Sequence, residues 1–278
     1  MKHISSTDEL FSFTHSIKAS GKTIGFVPTM GFLHEGHLSL VKEAKKHSDC
    51  VILSIFVNPK QFGANEDLDA YPRDLERDLQ RCTEAGVDIV YTPSTDEFYP
   101  NDFQTTISVS QMTKELCGKS RPTHFDGVTT VVSKLFNVTR ADCAVFGQKD
   151  FQQCLVIKQM VKDLFIPVQL IIAPIVREAD GLAMSSRNKY LSSEERTHAL
   201  VLSKSLEEAK ALIQNGTTDS LIIKKHIESI ISSVPSKIDY IEIKTQSSLQ
   251  SIETIDQPIV IALAVFIGNT RLIDNLLI

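Results

Sequence analysis

Residues 23–41, TIGFVPTMGFLHEGHLSLV, constrain the fold more than any other stretch. An apolar, β-branched run breaks at Met30-Gly31, and a helical pattern resumes after Gly36 with Leu38 and Val41 on one side. Where a strand stops against a helix start, backbone N–H groups have no helical partners and the helix dipole adds partial positive charge. Such a junction is a ready anion site. His34 and His37 sit at the turn, and Gly36, lacking a Cβ, lets the backbone approach a ligand closely. The stretch reads as the phosphate end of a nucleotide site.

The same alternation repeats downstream. CVILSIFVN (50–58) is a near-continuous apolar run, as expected of a strand buried on both faces of a parallel sheet. Further strands are expected over 87–92, 142–147 and 167–176, with QTTISVS (104–110) as an extra one. Helices are expected from the capping-box spacing of Ser6 and Glu9 to Gly21, from the first turn at Pro72 to Gly86, over 127–138 and over 150–165. Strands alternating with helices imply right-handed crossovers and an α/β, doubly wound parallel sheet of the Rossmann-like kind over 1–176. After residue 176 the pattern changes. A loop over 180–191 leads to a helix from Ser192 to about Gln214 and another over 219–234, and strands follow over 237–245, 258–267 and 270–277. Residues 177–278 therefore read as a smaller α+β C-terminal domain, in the place of a closing domain.

A net charge of −5 argues against a general nucleic-acid binder, which carries a basic face. The five cysteines, Cys50, Cys82, Cys117, Cys143 and Cys154, are scattered with no CxxC pair, the pattern of reduced thiols. No apolar run reaches the ~18 residues of a membrane span, and residues 1–11 lack a signal-peptide core. A cytoplasmic protein with neither nucleic-acid nor membrane partners is expected.

Neither GxGxxG nor GxxxxGK[ST] occurs, so a nucleotide must be held by another arrangement. His34-Glu35-Gly36-His37 lacks the i, i+4 spacing of a zinc-binding HExxH. Phe146-Gly147-Gln148-Lys149-Asp150-Phe151-Gln152-Gln153 leaves a strand and enters a helix, with Lys149 at the strand's carboxyl end and Asp150 equally readable as a helix cap. Asp180 to Asn188, DGLAMSSRN, sets two hydroxyls and a guanidinium in a mobile-looking loop able to close over phosphates, or else is a serine-rich linker. Asn58 to Phe62 and Arg121 to Phe125 add amides, cations and aromatic walls.

Together, the strand–HxGH–helix segment and the downstream MSSRN loop resemble the nucleotidylyltransferase superfamily with HIGH and KMSKS-type motifs. More narrowly, PTMGFLHEGH, FVNPKQF, YPRDLERD, RPTHFDGV, GQKDFQQ, DGLAMSSRN and TRLIDN, in this order, are similar to the pantothenate synthetase family. Thr123 stands where that family usually has Gly, and Gln148 where Glu is common. The resemblance implies an ATP- and Mg2+-dependent ligase that joins pantoate to β-alanine through pantoyl adenylate, commonly as a homodimer. It assigns His34 and His37 to the phosphates and to charge at the α-phosphate, and Lys149, Ser185, Ser186 and Arg187 to phosphate binding. Met30, Gly147, Asp150, Val176 and Met184 would complete the ATP site. Asn58, Gln61, Gln153, Met30 and Phe62 would form the pantoate site, with Arg121 as a secondary phosphate or acyl-site contact. Magnesium would ride on ATP oxygens without a dedicated protein cage. The rival readings are another HxGH-type nucleotidylyltransferase acting on a phosphorylated small molecule, and a non-catalytic RNA-binding relative of aminoacyl-tRNA synthetases.

Overall fold

The computed structural model describes residues 1–64 and 66–278. The chain packs as two compact units. One comprises Met1–Ser110, Arg121–Gln148 and Gln153–Pro174; the other comprises Gln111–Ser120, Lys149–Gln152 and Ile175–Ile278.

In the first unit, among the described residues, six strands form one sheet: β1 (Lys2–Ile4), β2 (Ile24–Thr29), β3 (Cys50–Ile55), β4 (Ile89–Tyr91), β5 (Cys143–Gly147) and β6 (Gln169–Ala173). Their order is β1-β4-β3-β2-β5-β6, and every pairing is parallel. Adjacent residues of a strand face opposite sides. On β2, Val27 joins the cluster containing Leu40, Val41 and Ala44 of helix Glu35–Ala44, whereas Phe26 meets Phe136 of helix His124–Thr139 edge-on at 6.3 Å. The two helices thus cover opposite faces, which is the doubly wound arrangement. From β2 the chain winds one way through β3 and β4 and the other way through β5 and β6, so the strand order reverses beside β2. Ligands of such sheets bind beyond the carboxyl ends of the strands at this reversal.

One strand is added here and three expectations are corrected. Residues 2–4, for which no element was expected, form β1 alongside β4. Residues 104–110 run as irregular backbone instead of a strand: the Ile107 N–H donates to Thr130 Oγ1, and its carbonyl accepts from the Thr129 hydroxyl. Helix threonines thus satisfy groups that a neighbouring strand would otherwise pair. Pro72 lies outside helix Leu75–Glu84, whose cap is Asp74 accepting from Arg77 N. Finally, the lysine segment opens as a 3-10 turn, Gln148–Asp150, before helix Phe151–Asp163.

The second unit carries an antiparallel sheet of β7 (Lys237–Thr245), β8 (Ile259–Ile267) and β9 (Thr270–Leu277), with β8 central. Its core joins Leu202, Leu206, Ile223, Ile227 and Ile231 from helices Val201–Gln214 and Ser220–Ile231 to Ile243, Ile261, Leu263 and Val265 of the sheet. The single helix expected from Ser192 is two, Ser193–His198 and Val201–Gln214. Among the described residues, no helix is long and apolar enough to cross a membrane.

Candidate active site

The turn after β2 is built around a buried acid. Gly31 and Phe32 both take left-handed conformations, φ +85° and +49°, and a Cβ at Gly31 would lie 2.8 Å from Ile55 Cγ2. Asp78, 1% exposed, accepts from Phe32 N at 2.6 Å and Leu33 N at 2.7 Å. Burial pushes its carboxyl above the usual range, and these two N–H groups partly offset the shift. Asp78 was not singled out from sequence. The signal was present in YPRDLERD: a carboxylate four residues before Cys82 falls on the helix's inward stripe.

Held this way, the turn delivers His34 to the cap position of helix Glu35–Ala44 and His37 to its first turn. Their rings stack with centroids 4.0 Å apart. The His34 N–H donates to His37 Nδ1 at 3.3 Å, so a neutral His37 carries its proton on Nε2. This pair therefore offers a directed N–H beside the helix N-terminus.

After β3, Pro59–Gln61 forms a 3-10 turn capped by Asn58. Asn58, 1% exposed, donates to Gly127 O at 3.0 Å and to Gln61 Oε1 at 3.2 Å, and accepts from the Tyr99 hydroxyl at 2.9 Å. The Gln61 amide reaches Met30 Sδ at 3.0 Å, and Phe62 meets the Tyr71 ring at 5.9 Å. The structure thus brings Met30, Asn58, Gln61 and Phe62 together at the carboxyl ends of β2 and β3.

Arg121 is ion-paired within its own unit. Its guanidinium is engaged by Glu66 at 2.6 and 2.5 Å and donates to Gln61 O at 3.2 Å. His124 Nδ1 donates to the same carbonyl at 2.9 Å. Burial raises the Glu66 carboxyl, but the Arg121 hydrogen bond and charge outweigh it and hold the group below the usual range. Thr123 adopts an ordinary helical conformation, φ −99°, so no glycine is required there. Gly127 is required: a Cβ would lie 2.3 Å from Lys60 O. Glu66, His124 and Gly127 went unassigned in the sequence reading. Gly147 ends β5, with no atom within 4 Å of an added Cβ, and Gln153 lies half-buried near the start of the following helix.

The second unit carries the remaining residues. Lys149 Nζ lies 3.5 Å from Asp150 Oδ2, and the Lys149 carbonyl accepts from Asn275 Nδ2 at 2.9 Å. The 180s segment is cross-braced, not loose as the sequence suggested. Arg177 pairs with Ala183 as an antiparallel bridge, and Met184 N donates to Val176 O at 3.0 Å. Asn188 Nδ2 donates to Glu178 Oε1 and Ala183 O, and Arg196 bonds both Glu178 and Asp180. Ser185 then caps a 3-10 turn, Ser186–Tyr190, by accepting from Arg187 N. Lys149 and the Met184-Ser185-Ser186-Arg187 run are thus both tied to this unit's sheet or its flanking hairpin. Among the described residues, no group of three His, Cys, Asp or Glu side chains is placed to hold a metal ion, and all five cysteines are reduced and buried.

A family model described as pantoate-beta-alanine ligase matches residues 2–277. The pantothenate synthetase of Thermoanaerobacter pseudethanolicus is 56% identical over 275 residues, covering 98% of this chain and 97% of that protein. That of Thermosipho africanus is 53% identical over 278 residues, covering 100% of each. Among solved structures, pantothenate synthetase from Thermus thermophilus matches with a TM-score of 0.94 at 41% identity, covering 99% of both chains. A pantoate-beta-alanine ligase from Francisella tularensis, complexed with beta-gamma ATP and beta-alanine, matches with a TM-score of 0.82 at 37% identity, covering 100% of this chain and 97% of that one.

Proposed function

The chain belongs to the pantoate-beta-alanine ligase family, and from that premise we propose that it makes pantothenate in two steps on one ATP. A pantoate carboxylate oxygen attacks the α-phosphorus, the bond to the β-phosphate breaks, and pyrophosphate leaves. The β-alanine amine then attacks the acyl carbon, a C–N bond forms, and AMP departs with the acyl oxygen. Adenylation supplies the leaving group that a carboxylate lacks.

The observation that carries this reading is the Met30–Asn58–Gln61 cluster, set at the carboxyl ends of β2 and β3 beside a stacked histidine pair. Uncharged amides against a thioether and an aromatic ring suit a small hydroxy acid with a gem-dimethyl group better than a phosphorylated substrate. Gln61 and Gln153 bind the pantoate hydroxyls and carboxylate, while Met30 and Phe62 wall its methyl groups. His37 donates from Nε2 to charge developing at the α-phosphate, with His34 beside it. Lys149, Ser185, Ser186 and Arg187 bind the phosphates; Gly147, Asp150, Val176 and Met184 line the nucleotide. Arg121, engaged by Glu66, acts on the acyl site through the Gln61 carbonyl. The phosphate set consists of imidazoles, hydroxyls, an ammonium and a guanidinium, which suits phosphate oxygens. Magnesium takes harder oxygen ligands and is carried on ATP. The beta-gamma ATP and beta-alanine complexed with the Francisella relative support ATP and β-alanine as substrates here. The enzyme acts in the cytoplasm as a homodimer.

Isotope exchange of pyrophosphate into ATP with pantoate, in the absence of β-alanine, tests the reading. His37→Ala and Lys149→Ala should fold normally and lose about 10²–10³ in exchange rate, the effect of removing one preorganised donor. Exchange at the wild-type rate in either variant would remove that residue from the chemistry, and dependence on a phosphorylated substrate would point to a different transferase.

A further inference from the structure

The C-terminal TRLIDN segment has no task in the reading above, yet β9 buries two consecutive polar residues of it, Asp274 at 2% exposure and Asn275 at 3%. Consecutive strand residues face opposite sides. A strand with an apolar core on one face would more cheaply carry an aliphatic side chain in at least one of these places.

Each residue is committed to a different piece of the phosphate-binding machinery of its own unit. The Asp274 carboxylate takes Arg177 Nη1 at 2.7 Å and Nη2 at 3.0 Å, together with Asn275 N at 2.8 Å. Arg177 also donates to Gly181 O at 3.1 Å and forms the bridge with Ala183. Fixing its guanidinium therefore fixes the root of the hairpin that runs into Met184, Ser185, Ser186 and Arg187. Asn275 turns the other way and donates to the Lys149 carbonyl. Lys149 follows the end of β5 by only two residues, inside a 3-10 turn, so a bond to its main chain sets where its side chain starts.

We propose that Asp274 and Asn275 are positioning residues that hold Lys149 and the serine–arginine segment in mutual register from one strand. This rests on the assignment of Lys149 and Ser185–Arg187 to the phosphates. Chain order explains the need: Lys149 and Ser185 are separated by 35 intervening residues, and each leaves regular structure just before it is used. A displacement on the order of 1 Å in such a group costs about 10²-fold in rate.

The test is a double-mutant cycle read by pyrophosphate exchange in the full chain. Asn275→Asp keeps the shape but replaces the amide donor with an oxygen facing a carbonyl. It should lower the exchange kcat by about 10- to 10²-fold, with KM for pantoate changed less than about threefold and an unaltered circular dichroism spectrum. In a Lys149→Arg background the same substitution should cost much less than it does in the wild type, because residues that act through one group are not additive. A role confined to stability would instead give factors that multiply. Multiplying factors, or a wild-type kcat in Asn275→Asp, overturns the proposal. Should Asn275→Asp not fold, Asn275→Ser removes the donor without adding charge and is read in the same cycle. Lys149→Ala separates the two claims: if it exchanges at the wild-type rate, the assignment of Lys149 fails, whereas an inactive Lys149→Ala with a normal Asn275→Asp sinks only the positioning role.

Discussion

After β2 the chain turns on an acid that accepts backbone N–H groups, whereas after β3 it turns on a guanidinium and an imidazole that donate to a backbone carbonyl. Asp78 meets the Phe32 and Leu33 amides and is matched largely by neutral dipoles. Gln61 O meets Arg121 and His124, and the charge of Arg121 is matched in turn by Glu66. Both devices freeze an irregular segment at the carboxyl edge of a parallel sheet, where helical or ladder hydrogen bonds have run out. They differ in what an acid costs. With two dipoles and only the more distant Arg77 guanidinium at 3.9 Å, burial wins and the Asp78 carboxyl is raised; with a guanidinium hydrogen-bonded to it, burial loses and the Glu66 carboxyl is lowered.

The largest test of this contrast is Asp78→Ala. It strands the buried Leu33 N–H and the part-buried Phe32 N–H at about 1–3 kcal/mol each, so urea unfolding should show a loss of about 2 kcal/mol or more. A smaller loss would mean the turn recloses without the acid. Next comes Gly127→Ala, where the new Cβ meets Lys60 O and the 3-10 turn must shift. Overpacking of this kind costs about 1–3 kcal/mol. Steady-state kinetics should show KM for pantoate raised and KM for ATP unmoved; equal changes in both would detach the turn from the acyl site.

The smallest effect is in pH dependence, and its sign differs between the two turns. The Asp78 carboxyl, raised from 3.8, contributes stability below that value and loses it as pH rises through its folded pKa. The Glu66 carboxyl, lowered from 4.5, contributes stability above that value and loses it as pH falls through its folded pKa. Urea midpoints between about pH 6 and pH 3 should therefore fall more steeply on acidification in Asp78→Asn and less steeply in Glu66→Gln. Shifts of the same sign in both variants would break the comparison.

What could be read from the letters follows the same division. Runs such as 24–29 and 50–55 are near-continuously apolar because both sheet faces are covered, and the three C-terminal strands declare themselves by length and composition. β1 escaped because three residues are too few for any period to show. Residues 104–110 misled because alternation fits a strand, while their partners are threonine hydroxyls on a helix more than a dozen residues away. The candidate site residues could be listed because they cluster in polar segments after strands. The residues holding them could not: Asp78, Glu66 and His124 act across sequence separations that only the fold closes, and Arg121 looks like a ligand-seeking cation until Glu66 is seen upon it.

The bond between His124 and Gln61 also fixes a tautomer. Because a carbonyl oxygen can only accept, Nδ1 is the nitrogen that carries the hydrogen, and the bond it gives sets the orientation of the ring. The imidazole therefore works as a latch that ties the start of helix His124–Thr139 to the 3-10 turn after β3.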